Sequence, residues 1–214
     1  MMKQDTLIKS VSYDQTEILQ WILRLYIPSA CFDADATFSK GGFYTSIPPP
    51  RLCYDLNPVS PAVIQADCRH LPIENGSIHS LVLDPPFLAT TGKSLDSTDG
   101  NIINRRFSVC RNETELADLY RDAITEAYRV LDDRGILVFK CQDKVSSGKQ
   151  YMTHCQVYEW AMKAGFVALD LFILLAKSRL VADWQRNQKH ARKFHSYFWV
   201  FQKRLTIKSQ VSRM

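Results

Sequence analysis

Four consecutive residues of this 214-residue chain, Asp84-Pro85-Pro86-Phe87, combine side chains that can do chemistry together. The carboxylate of Asp84 accepts hydrogen bonds, as do the proline carbonyls, and neither proline has an N–H to compete. Phe87 adds a flat face on which a planar ring can stack. Two consecutive prolines also stiffen the loop, so such acceptors are placed in advance rather than recruited. D-P-P occurs by chance often enough to decide little alone, and its bland alternative is a strand end with a proline turn. Its surroundings must therefore be read with it.

Those surroundings alternate helix and strand. Apolar residues at helical spacing, Ile18, Leu19, Ile22, Leu23 and Tyr26, predict a helix over about 14–25, closed by Pro28. Strands are expected at about 30–33, 51–55 and 62–66. A fourth, 78–83, is apolar enough to be buried on both faces and stops at Asp84-Pro85. A helix over about 113–131, a strand at 136–140, a helix over 153–164 capped by Gly165, and strands at 166–175 and 196–203 follow. Two segments stand outside the pattern: a Gly-, Ser-, Thr- and Pro-rich loop over 34–50, and a long polar loop over 88–112. The order predicts an α/β fold, a mostly parallel sheet with an antiparallel last strand. Ligands of such sheets sit beyond the carboxyl ends of the strands. Asp33, Asp35, Asp55, Asp67, Asp84 and Lys140 all fall at those ends.

Composition narrows the class. With 46% apolar and 23% charged residues the chain suits one globular domain, 1–214, with a basic tail from about 204. Its N-terminus lacks the apolar core of a signal peptide, and its most apolar run, 166–176, contains Asp170 and is about half the length of a membrane span. A cytoplasmic location without membrane association is expected. The six cysteines show no paired spacing and read as reduced thiols, and no Cys/His cluster has metal-ligand spacing, so no metal is expected. The net charge of +5 says little, but its distribution says more. Residues 177–195 hold Lys177, Arg179, Arg186, Lys189, Arg192 and Lys193, with His190 and His195, against Asp183 alone. Amides and aromatics interleave with these cations. Such a mixture can neutralise phosphates and read base edges, although a charge run is more often a solvated face.

The stretch from Asp55 to Phe87, with Ala66-Asp67-Cys68, then Leu71-Pro72-Ile73-Glu74-Asn75-Gly76-Ser77-Ile78, resembles the S-adenosylmethionine-dependent amino-group methyltransferases of adenine and cytosine. Those enzymes carry an Asp/Asn/Ser-Pro-Pro-aromatic tetrapeptide at the end of the fourth strand. The resemblance covers about 30–203. It implies a Rossmann-like class I methyltransferase fold with a seven-stranded sheet, S-adenosyl-L-methionine as cofactor, and a nucleic-acid partner, DNA ahead of RNA. A monomer or homodimer is expected. By the same resemblance Asp84 to Phe87 are catalytic, Asp55 takes the ribose hydroxyls, Asp67 the adenine amino group, and Cys68 lies against the ring. An exocyclic amine is a poor nucleophile because its lone pair is delocalised. Two acceptors, Asp84 and the carbonyl of Pro85 or Pro86, draw it toward tetrahedral geometry. A duplex base would have to be flipped out first.

The loop after the first strand departs from the family's glycine-rich pattern. Its paired glycines, Gly41-Gly42, come late, and no clear helix follows. Asp33 or Asp35 is expected to hold the cofactor's ammonium, with Gly41 and Gly42 permitting close approach; alternatively the segment is a substrate loop. Lys140, Arg186, Lys189, His190, Arg192 and Lys193 are the expected nucleic-acid contacts, with a solvated lysine as the bland alternative for Lys140. Asp at position 84 favours adenine N6 within the family, hence a site-specific adenine DNA methyltransferase. An RNA or cytosine-N4 methyltransferase, or an inactive nucleic-acid-binding member of the fold, is the alternative.

Overall fold

Ile78–Leu83 sets the centre of the molecule. Leu81, Val82 and Leu83 are fully buried, with alternate side chains entering opposite apolar cores, as an apolar strand covered on both faces requires. The computed structural model describes residues 7–89, 110–178 and 189–205. In chain order these form β1 (Val11–Ser12), α1 (Gln15–Tyr26), β2 (Ala34–Asp35), β3 (Leu52–Asp55), β4 (Ile64–Gln65), β5 (Ile78–Leu83) and α2 (Glu113–Val130). Then come β6 (Leu131–Cys141), β7 (Lys144–Ser146), β8 (Lys149–Tyr151), α3 (Thr153–Ala164), β9 (Phe166–Leu175) and β10 (His195–Lys203).

Eight strands make one sheet in the order β1-β9-β10-β6-β5-β2-β3-β4. β10 runs antiparallel to both neighbours, β6 and β9, and every other pair is parallel. The sheet is the expected one with a two-residue edge strand added, β1, which pairs with the end of β9. The order reverses beside β2 and β5, and a crevice for ligand opens at such a point beyond the strand ends.

α1 covers one face. Asp14 caps it, accepting from the Thr16 N–H at 2.8 Å, and Ile18, Leu19 and Ile22 pack with Val82, Val138, Phe172 and Phe198. α2 and α3 cover the other face, over Leu81, Leu83, Leu137, Phe139 and Phe201. Gly165 ends α3 in the left-handed conformation, φ 106°, as its position predicts.

Three details differ from the sequence-based expectation. β2 begins at Ala34, because the Asp33 carboxylate replaces the backbone ladder there: it accepts from the N–H groups of His79 and Ser80 at 2.8 and 2.9 Å. The Asp132–Gly135 turn is absorbed into β6, with a register shift opposite Ile78 and Ser80. The loop after Asp143 is a β-hairpin, β7–β8, turning on Ser147 and Gly148, both at positive φ.

Candidate active site

An acid stands at or just beyond the end of β2, β3, β4 and β5, and the chain treats each acid differently. Asp33 is buried, paired with Arg51 and held by β5, and it lies outside the cleft. Its expected place at the cofactor is therefore corrected: this carboxylate substitutes for sheet hydrogen bonds. Asp35, two residues on, does enter the cleft. It accepts from the Tyr44 hydroxyl at 2.6 Å, the Thr37 N–H at 2.7 Å and the Thr37 hydroxyl at 3.2 Å. Burial, with Asp84 nearby, still pushes its pKa up to about 7.

Asp55 ends β3 and accepts from the Ser39 and Asn57 N–H groups, each at 2.8 Å. Asp67 follows β4 and is gripped by Arg69 through Nη2 at 2.6 Å and Nε at 3.0 Å. Those hydrogen bonds hold its pKa below the ordinary carboxylate value. The neighbouring Cys68 thiol is pushed up to about 12 by burial.

Asp84 ends β5. Its backbone N–H donates to the Thr37 hydroxyl at 2.6 Å, which ties the tetrapeptide to Asp35. Its carboxylate receives the Lys140 ammonium at 3.4 Å on Oδ2, while Oδ1 is shielded and has no hydrogen-bond partner among the described residues. Burial raises its pKa, against the pull of Lys140. The tetrapeptide is clamped from behind. The Tyr120 hydroxyl donates to the Pro86 carbonyl at 2.8 Å, and Lys144 Nζ to the Phe87 carbonyl at 2.9 Å.

Asp35, Gly42, Asp55, Asp67, Cys68, Asp84, Pro85, Pro86 and Lys140 line one cleft of about 350 Å³. Gly41 lies outside its lining and serves the turn instead, at φ +70° against the Phe38 ring. Gly42 has open space where a side chain would start. Phe87 lines an adjoining cleft of about 360 Å³ with Tyr13, Gln142 and His195, and Gln15 and Lys140 belong to both.

Lys140 is not the solvated strand-end lysine of the bland alternative. It is 9% exposed, and its ammonium sits on the rings of Phe43, Phe87 and Phe198, at 4.7, 5.6 and 5.4 Å from their centroids. It therefore faces Asp84 rather than an outer surface. Of the expected nucleic-acid contacts, Lys189 and His190 are exposed and Arg192 and Lys193 half-buried, just ahead of β10. His195 pairs with Leu175 at the cleft end of the sheet, so this segment leaves from the same end. Arg186 lies outside the described residues, as do 90–109 of the polar loop and 206–214 of the tail.

Tyr44, Thr37, Tyr120, Lys144 and Arg69 were not singled out from sequence. Arg69, two residues after Asp67, carried a usable signal; Tyr120 falls within the helix expected over 113–131. Among the described residues no helix is long and apolar enough to cross a membrane.

No family profile and no curated protein matches the chain. Solved structures do share its fold. The [4+2]-cyclase SpnF overlays 89% of this chain and 82% of its own, at 13% identity and a TM-score of 0.53. An S-adenosylmethionine-dependent methyltransferase from Methanosarcina mazei overlays 86% of this chain and 98% of its own, at 11% identity and a TM-score of 0.51. The candidate DNA modification methylase TTHA0409 of Thermus thermophilus overlays 69% of this chain at 18% identity and a TM-score of 0.45. The chain spans little more than half, 56%, of the length of TTHA0409. The architecture is thus the Rossmann-like class I methyltransferase fold. That a cyclase shares it shows that the reaction must be argued from the site.

Proposed function

We propose that this chain is an S-adenosyl-L-methionine-dependent methyltransferase acting on the exocyclic amine of a nucleic-acid base, adenine N6 in DNA. The observation that carries the proposal is the unequal state of the four cleft acids. Asp35, Asp55 and Asp67 each have chain donors within 3 Å, whereas among the described residues the Asp84 carboxylate has only the Lys140 ammonium as donor, at 3.4 Å, and none on Oδ1. An under-satisfied buried acceptor is costly, and it persists where a ligand supplies the missing donor. It stands here at the first position of the tetrapeptide.

The cleft suits the cofactor. Asp55 offers remaining lone pairs to a ribose diol, Asp67 accepts from an adenine amine, Cys68 lies beside the ring, and Asp35 faces an ammonium. Gly42 leaves room for close approach. When bound, the cofactor supplies a methyl carbon on a sulfonium, an electrophile that needs no metal.

The Pro86 carbonyl already accepts from Tyr120, and in this reading the Pro85 carbonyl is the second acceptor for the amine. Asp84 and Pro85 would then hold the two N–H bonds and leave the nitrogen lone pair free to attack. On methylation the nitrogen would shed one proton, and the Asp84 carboxylate is the adjacent base. Phe87 stacks the base, which enters through the adjoining cleft. The choice of adenine over cytosine is supported by the Asp of the tetrapeptide, and DNA by the family resemblance.

The test is incubation with methyl-labelled cofactor and single- or double-stranded DNA or RNA, followed by digestion to nucleosides. Label in N6-methyladenine from DNA is expected. Label in N4-methylcytosine or in RNA would replace the substrate and keep the chemistry. No label in any nucleoside, from a protein that binds the cofactor, would overturn the proposal.

A further inference from the structure

We infer that Lys140 is a positioning residue for Asp84: its ammonium, seated on three phenylalanine faces, holds the carboxylate in place and in its charged form. The inference rests on the reading of Asp84 as the acceptor for the amine. A lysine at a strand end ordinarily reaches water. This one comes from β6, the neighbour of β5, and crosses to Asp84 Oδ2 at 3.4 Å. The rings of Phe43, Phe87 and Phe198 come from three separate segments, the 36–51 loop, the tetrapeptide and β10. Together they replace part of the ammonium's hydration with the negative faces of aromatic rings. A buried ammonium ordinarily keeps an anionic partner, and among the described residues Asp84 is the carboxylate paired with it.

The other titratable groups facing Asp84 cannot do this work. Asp35 from β2, Tyr44 from the 36–51 loop, Tyr120 from α2 and Cys141 from β6 are all acids whose ionised forms repel its charge. Among the described residues Lys140 is the cation acting on it. Without that charge, burial would favour the protonated carboxyl, which is a poor base for the departing proton and a weaker acceptor for N–H. Lys140 also lines both clefts, so it stands where the base and the methyl donor would meet.

The measurement is titration of the Asp84 carboxyl carbon by NMR in aspartate-labelled protein, with the resonance assigned through Asp84→Asn. In Lys140→Met, which keeps the length and apolar contacts of the side chain, the Asp84 pKa should rise by one unit or more, a tenfold gain in proton affinity. Lys140→Arg should restore most of the wild-type value. The acid limb of the kcat profile should move upward with the titration in Lys140→Met and stay in place in Lys140→Arg, whose larger head still lowers kcat. Lys140→Gln serves as the neutral variant if the methionine form does not fold. An unmoved Asp84 titration in a folded neutral variant would overturn the inference whether or not the protein transfers methyl. A wild-type protein that binds cofactor and methylates no base would instead overturn the proposed function.

Discussion

Replacing Asp35 by Asn should remove a specific component of the pH dependence of stability. Burial pushes this carboxyl from its ordinary value of 3.8 to about 7. A raised folded-state pKa means that the folded protein holds the proton more tightly than the unfolded chain does. The associated stability is greatest at low pH, falls as pH rises from about 4, and levels off above about 7. At ~1.36 kcal/mol per pKa unit, the full difference is about 4 kcal/mol. Linkage places roughly 1.4 kcal/mol of that loss between about pH 6 and 8, and roughly 2.6 between about pH 5 and 8. Asn cannot ionise, so the difference in unfolding free energy between wild type and Asp35→Asn should shift by these amounts in favour of the variant as pH rises. A constant penalty of about 1–3 kcal/mol for mismatched donors at Tyr44 and Thr37 would offset the curve without changing its slope. Urea denaturation across this range, with cofactor absent, reads the difference directly. Parallel curves for the two proteins would refute the assignment of Asp35 as a buried carboxyl that titrates near neutrality.

Tyr120→Phe removes the hydroxyl that holds the Pro86 carbonyl. It should cost about 1 kcal/mol of stability by chemical denaturation and lower kcat more than it raises the cofactor Kd. Gly42→Ala introduces a side chain into open space beside the cleft, so thermal stability should be unchanged while calorimetry shows weaker cofactor binding. Lys189→Gln with Lys193→Gln should weaken nucleic-acid binding uniformly across sequences and reduce the slope of log K against log salt by about 1 for each phosphate no longer neutralised.

The elements with one strong pattern were readable before the fold was known. The apolar run at Ile78–Leu83, the stripes of α1 and α2, and the Gly165 cap each follow from local periodicity or backbone freedom, and they lie where the sequence places them. The strand at Asp33 was not, because its limit depends on a carboxylate bonding to a strand 46 residues away. The site shows the same division. Asp55, Asp67 and Asp84 line the cleft because strand ends in a parallel sheet converge. Asp33 and Asp35 could not be separated by sequence, since their distinct partners, Arg51 and β5 for one and Tyr44 and Thr37 for the other, come from segments elsewhere in the chain. Lys140 was visible as a strand-end lysine, but its phenylalanine seat is assembled from distant segments and leaves no local trace. The hairpin after Asp143 turned on Ser147-Gly148, a two-residue signal obscured by its polar surroundings.

The role of Asp84 is tested most directly by single-turnover methyl transfer in Asp84→Ala, with cofactor affinity measured on the same preparation. Removal of a preorganised acceptor at the reacting nitrogen should slow transfer by about 10²–10³-fold or more. The cofactor Kd should remain within about threefold of wild type, because Asp55 and Asp67, the expected ribose and adenine partners, are untouched. Transfer at the wild-type rate by Asp84→Ala, with cofactor bound, would contradict the assignment of this carboxylate as the acceptor on which the reaction depends.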